Sequence, residues 1–109
     1  MKKTFMLLLA LSLTGILMAQ TPTKIKVAGN CGMCKKHIEK AAKEAGATEA
    51  NWDKVSKLLT VSFDASKTSV DKIEAAVAGA GYDTEHKEAN LDAYKKLDEC
   101  CQYERKKKQ

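Results

Sequence analysis

The chain has 109 residues, 30% of them charged, and a net charge of +5 from 19 Lys and Arg against 14 Asp and Glu. That length suits one small domain with a modest core and excludes a large multidomain architecture. Basic and acidic residues are interleaved everywhere except at Arg105-Lys106-Lys107-Lys108, and the six aromatic side chains are not set among basic ones, so nucleic acid is not expected as a partner. The terminal basic run reads as a solvated, frayed tail.

In chain order, Lys2 and Lys3 precede an apolar run from Phe5 to Leu13, and Thr14 to Ala19 then lead into polar Gln20-Thr21-Pro22. This is the three-part layout of a secretory signal peptide over residues 1–19, with cleavage expected after Ala19 and a periplasmic or secreted destination. The stretch is shorter than the roughly 20 residues a membrane span needs. The mature chain would carry +5 less Lys2 and Lys3, that is +3. Lys24-Ile25-Lys26-Val27 alternates polar and apolar and predicts a half-buried strand running to Ala28. Cys34 to Ala45 places Ile38, Ala41, Ala42 and Ala45 at helical spacing, and Gly46 ends that helix. Ala47 to Asp53 predicts a second strand with Ala50 and Trp52 on one face. Lys54 to Lys57 makes a hairpin connection, and Leu59, Val61 and Phe63 mark the third strand. Thr68-Ser69-Val70-Asp71 resembles a capping box and opens a helix with the stripe Val70, Ile73, Ala76, Val77 and Ala80. Gly79 and Gly81 close it, and Tyr82 to Lys87 is expected to form a fourth strand.

The order strand, helix, strand, strand, helix, strand predicts an α+β fold, the ferredoxin-like βαββαβ sandwich, over residues 20–88. That topology brings the first loop and the loop before the fourth strand to one end, so Cys31-Gly32-Met33-Cys34 should lie near Gly79 to Tyr82.

Cys31 and Cys34 are the candidate metal ligands. A Cys-x-x-Cys pair at a helix start has its thiol pKa lowered toward neutrality by the positive end of the helix dipole. Thiolates are soft donors that select Cu(I) or zinc over magnesium or calcium, but two of them leave tetrahedral zinc two ligands short, which favours Cu(I). The same pair is also the pattern of a dithiol oxidoreductase, so a thiol–disulfide role is the alternative. No aromatic residue directly precedes Cys31, unlike the thioredoxin arrangement. With no glycine-rich phosphate loop and no nucleophile–base set apart from the thiols, an enzyme is not expected.

Residues 24–87 resemble the heavy-metal-associated domain family, which includes copper chaperones, soluble domains of copper-transporting ATPases and the periplasmic mercury-binding protein. The matching residues are Cys31 and Cys34 after the first strand, Lys36-His37-Ile38-Glu39 in the first helix, and Ala80-Gly81-Tyr82-Asp83 before the last strand. The resemblance implies Cu(I), Hg(II) or Zn(II) at the cysteines, hand-over by ligand exchange to a metal-transporting membrane protein or another metal-binding domain, and Tyr82 in the loop facing the metal. Gly29 stands where the family carries a Met that packs under the loop. Met33, between the cysteines, is expected to face solvent or a partner.

Beyond the domain, residues 89–109 form a C-terminal extension. Asn90 can cap a helix over Ala89 to Glu99 with Leu91, Tyr94 and Leu97 in one stripe and Cys101 a turn later. A six-residue fourth strand would carry the chain about 20 Å from the cysteine end at 3.3 Å per residue. The reversing helix would return about 16 Å of that. Cys100 and Cys101 are therefore candidate additional ligands, with disulfide formation or no role as the alternatives. His37 is expected on an exposed helix surface, and His86 at the far end.

Overall fold

A computed structural model of the chain describes residues 22–105. The expected leader and its cleavage point, and Lys106 to Lys108 of the basic run, lie outside the described residues. The elements are β1 (Thr23–Lys26), α1 (Gly32–Glu44), β2 (Glu49–Trp52), β3 (Leu58–Ser62), α2 (Val70–Gly79) and α3 (Leu91–Lys95), followed by a 3₁₀ turn over Glu99–Cys101. β3 lies between β1 and β2 and is antiparallel to both. Ile25, Leu59 and Trp52 therefore stand in one cross-strand row, and all three are buried. Ile38, Ala41 and Ala42 of α1 and Ile73 and Val77 of α2 join the same core. The result is the expected α+β, ferredoxin-like arrangement of helices on one antiparallel sheet.

The helix ends follow local chemistry. Ser69 caps α2 by accepting from the Lys72 amide at 3.2 Å. At its other end Gly81 adopts φ 108° and donates to the Ala78 carbonyl, while Tyr82 N reaches Val77 O, closing a Schellman turn. α1 begins earlier than its periodicity suggests, at Gly32, with Cys31 as the extended residue before it.

Two expectations are corrected. Among the described residues there is no fourth strand: the segment meets the end of β1 in an isolated bridge between Val27 and Thr84, with Ala28 N donating to Asp83 O at 2.9 Å. After Tyr82 the segment has no apolar residue to alternate into the core, so its polar groups are satisfied in turns instead. Thr84 N bonds Lys87 O at 2.8 Å, and the buried Glu74 carboxylate takes Thr84 Oγ1 at 2.6 Å, His86 N at 2.9 Å and His86 Nδ1 at 2.8 Å. The C-terminal helix is also shorter than expected. Asn90 caps it, accepting from Ala93 N at 2.9 Å, but it stops at Lys95, where Lys96 N and Leu97 N close the last turn on Ala93 O and Tyr94 O and the Gln102 amide donates to the freed Lys95 and Leu97 carbonyls at 3.1 Å each. Leu91 faces solvent at 52% exposure, and Tyr94 and Leu97 alone of that stripe pack on the core.

Candidate metal centre

Cys31 and Cys34 lie at the start of α1 because the chain leaves β1 through Gly29 and Asn30 and enters the helix at once. Their sulfurs are 3.5 Å apart. Cys34 is fully buried, and Asn30 N donates to its sulfur at 3.4 Å. Cys31 is half-buried. Desolvation pushes the Cys31 thiol up, but amide N–H groups of Cys34 and Met33 at the helix start, with the Cys100 and Cys34 thiols, bring it down to about 6. Near neutral pH it is a thiolate. Met33 is exposed, as expected.

The C-terminal extension returns to this point. Cys100 Sγ lies 3.3 Å and Cys101 Sγ 3.7 Å from Cys31 Sγ. The sulfurs of Cys31, Cys34 and Cys101 all fall within 4.8 Å of one another. Cys101 is buried and Cys100 exposed; all four cysteines are free thiols. Burial first, then hydrogen bonding with Cys34, pushes the Cys101 thiol up, and the hydrogen bond with Cys31 does the same for Cys100. With metal–sulfur bonds of about 2.3 Å, sulfurs sit about 3.8 Å apart in a tetrahedral centre, about 4.0 Å in a trigonal one and about 4.6 Å in a linear one. The observed spacings reach any of these with small side-chain adjustments.

Trp52, Tyr82, His37 and Lys57 shape the surroundings of the site. The Trp52 indole packs beneath Gly29: a Cβ on Gly29 would stand 2.9 Å from Trp52 Cζ2 and 3.3 Å from Cys34 Cβ. Trp52 Nε1 donates to Val27 O at 2.9 Å, which fixes the ring. The space that a Met at position 29 would fill is thus occupied from β2, and the paired signal of a small residue at 29 and a Trp at 52 could have shown it. Tyr82 is fully buried, close enough to hydrogen-bond Cys101 and Cys34, and its phenol stays protonated through burial and those neighbours. Its oxygen lies 2.9 Å from His37 Nδ1, so His37 is half-buried against Tyr82 and not the exposed lysine neighbour expected. Lys57 donates to Gly29 O and sits 5.5 Å over the Trp52 ring, bracing the same loop. His86 lies apart, on Glu74.

The profile of the family described as heavy-metal-associated domain matches residues 25–83, more than half of the chain. The chain belongs to the heavy-metal-associated domain family. The fold is similar to that of the CopZ metallochaperone, with 30% identity, 59% of this chain and 98% of that one covered, and a TM-score of 0.56. It is likewise similar to oxidized MerP from Ralstonia metallidurans CH34, at 30% identity over 62% and 96% of the two chains with a TM-score of 0.57. The N-terminal domain of a potential copper-translocating P-type ATPase from Bacillus subtilis, solved in the Cu(I)-loaded state, matches at 25% identity over 62% and 85%, with a TM-score of 0.56. No curated protein sequence matches the chain significantly. Among the described residues no helix is long and apolar enough to cross a membrane.

Proposed function

We propose that this protein is exported and carries, buffers or scavenges a soft metal ion, Cu(I), through the thiolates of Cys31 and Cys34, without catalysing a reaction. The observation that carries the reading is the Cys31–Cys34 sulfur pair, 3.5 Å apart at the N-terminus of α1 in a heavy-metal-associated domain. The mechanism follows from the asymmetry of the two thiols. Half-buried Cys31, deprotonated above about pH 6, takes the incoming ion first. Buried Cys34 completes the pair, bound like Cys31 as the thiolate. A soft, low-coordinate ion suits this set, and an open position lets a thiolate of a partner attack during hand-over. The Cu(I)-loaded state of the Bacillus subtilis neighbour supports copper, and that neighbour's description as part of a copper-translocating ATPase supports a metal-transporting membrane protein, or another domain of this kind, as the partner. Zn(II) and Hg(II) are the alternative ions. Export rests on the leader-like residues 1–19.

The thiol–disulfide reading is favoured by one observation, the lowered pKa of Cys31 beside a second thiol. An anaerobic titration of the reduced chain from Gln20 with Cu(I) against a competing chelator, with Zn(II) in parallel, separates the readings. Tight Cu(I) binding with weak zinc binding is expected. Failure to outcompete the chelator with either ion refutes the carrier reading and leaves the dithiol one.

A further inference from the structure

The C-terminal extension is pinned on both sides of its cysteine pair. Before the pair, Asn90 N donates to Ala78 O at 2.8 Å, and α3 approaches Gly81 so closely that a Cβ there would stand 3.0 Å from Tyr94 N. After it, buried Tyr103 stacks on Tyr82 at 5.9 Å, donates from its hydroxyl to Gly81 O at 2.9 Å and accepts from Asp83 N at 2.8 Å. Arg105 then closes a two-pronged pair on the Asp83 carboxylate, each prong 2.8 Å. Between these anchors the 3₁₀ turn gives adjacent cysteines opposite surroundings. Cys101 points inward, fully buried, while Cys100 meets Cys31 from the solvent side.

We propose that Cys101 is a resident third ligand, so that the ion is held by Cys31, Cys34 and Cys101, with Cys100 outside the ligand set. The inference rests on the metal-binding reading above and deepens it. The three sulfurs already lie within 4.8 Å of one another; Cys31 enters as the thiolate described above, and all three bind as thiolates, any remaining proton passing to solvent as the bond to the metal forms. Tyr82, which reaches both Cys34 and Cys101, is placed to donate its hydroxyl hydrogen to the thiolates while its oxygen faces His37. A third thiolate fixed by the fold changes what the protein does with its cargo. A competitor with two thiols must displace three, so the ion is retained, which favours buffering or scavenging over fast delivery.

The test uses the reduced chain from Gln20, loaded anaerobically with one equivalent of Cu(I), as wild type, Cys100→Ser and Cys101→Ser. X-ray absorption should count three sulfurs around copper in the wild type and in Cys100→Ser, and two in Cys101→Ser. In chelator competition Cys101→Ser should lose about a hundredfold or more in affinity, the scale of one pre-positioned extra contact, while Cys100→Ser stays close to wild type. The wild-type sulfur count requires no variant and so stands even where Cys101→Ser folds poorly. Two sulfurs around a tightly held ion overturn the inference alone, as does equal affinity of wild type and a folded Cys101→Ser. A fourth sulfur, or the larger loss in Cys100→Ser, overturns it in favour of Cys100. A wild type that retains no copper overturns the metal-binding reading as well.

Discussion

Gly29→Ala tests whether the metal loop is built on Trp52. The added Cβ would stand 2.9 Å from Cζ2 and 3.0 Å from Cη2 of the indole and 3.3 Å from Cys34 Cβ, against the roughly 3.5–4.0 Å at which carbon atoms rest. The ring cannot swing aside, because it is buried, bonded through Nε1 to Val27 O and covered by Lys57. Overpacking of this kind costs about 2 kcal/mol, and the lower entropy of an unfolded Ala returns about 0.5 kcal/mol, leaving a loss of about 1.5 kcal/mol. For a domain of this size the midpoint should fall by roughly 6–12 °C, read by circular dichroism on the reduced, metal-free chain. Trp52→Phe removes the two clashing atoms. It costs stability by itself, since ring area and the bond to Val27 are lost, but Gly29→Ala should then be nearly neutral in that background, a coupling of about 1.5 kcal/mol. An unchanged midpoint for Gly29→Ala, or the same loss in the Trp52→Phe background as with Trp52 in place, would refute the reasoning.

Glu74→Ala strips three hydrogen bonds from Thr84 and His86 and should cost about 2 kcal/mol, measured by urea unfolding. The pair also sets a pH window. Desolvation pushes the Glu74 carboxyl up, but hydrogen bonds from Thr84 and His86 outweigh it and hold it low, so its stabilisation is present above the unfolded value of about 4.3 and lost as pH falls through the folded one. The hydrogen bond to Glu74 raises His86, whose stabilisation is present below the unfolded value of about 6.5 and lost as pH rises through the folded one. The Glu74–His86 contribution should therefore be greatest between those values, and the difference between wild type and Glu74→Ala should shrink at either side. Tyr103→Phe leaves the Asp83 amide and the Gly81 carbonyl without their buried partner and should cost about 1–3 kcal/mol in the same assay; a wild-type midpoint would contradict the pinning of the extension. Alkylation of Cys31 in the reduced protein, followed by peptide mass spectrometry, should rise to half its plateau near pH 6 as the thiolate forms, while Cys101 stays protected; half-maximal labelling above pH 8 would contradict the helix-start stabilisation.

What the sequence made legible follows from how local each signal is. The alternation of Lys24 to Val27 and of Leu59 to Phe63, the helical spacing of Ile38, Ala41 and Ala42, and the Ser69 cap are each written within one short window, and each is found as an element. The segment after Tyr82 carried only an expected place in the topology, with no apolar alternation to secure it, and it folds around Glu74 instead. At the site, the Cys31–Cys34 pair was visible from spacing, whereas the division between Cys100 and Cys101 was not. The stripe of Leu91, Tyr94 and Leu97 put Cys101 in its line, but the helix ends at Lys95, so that phase does not carry to the pair, and which one points inward depends on the 3₁₀ turn and its anchors. Arg105 illustrates the same limit: read as the start of a frayed basic tail, it is held by the Asp83 carboxylate, 22 positions away in the chain.

Those anchors tie the site to the stability of the fold. A five-residue helix does not stand alone in water, so α3 and the turn after it owe their order to docking on Gly81, Tyr82 and Asp83. The Tyr94 hydroxyl, donating to Tyr103 O at 2.6 Å, links the two halves of the extension so that Cys101 is carried inward with them. Loosening Tyr103, whose amide donates to Cys101 O at 2.8 Å, therefore moves the Cys101 sulfur. The converse also holds: an ion bound in part by the extension binds the docked form and not the undocked one, so it stabilises that form by RT ln(1 + [L]/Kd). Metal should raise the protection of the Leu91 to Arg105 amides against hydrogen exchange, whereas an ion held by Cys31 and Cys34 alone would leave the extension exchanging as before.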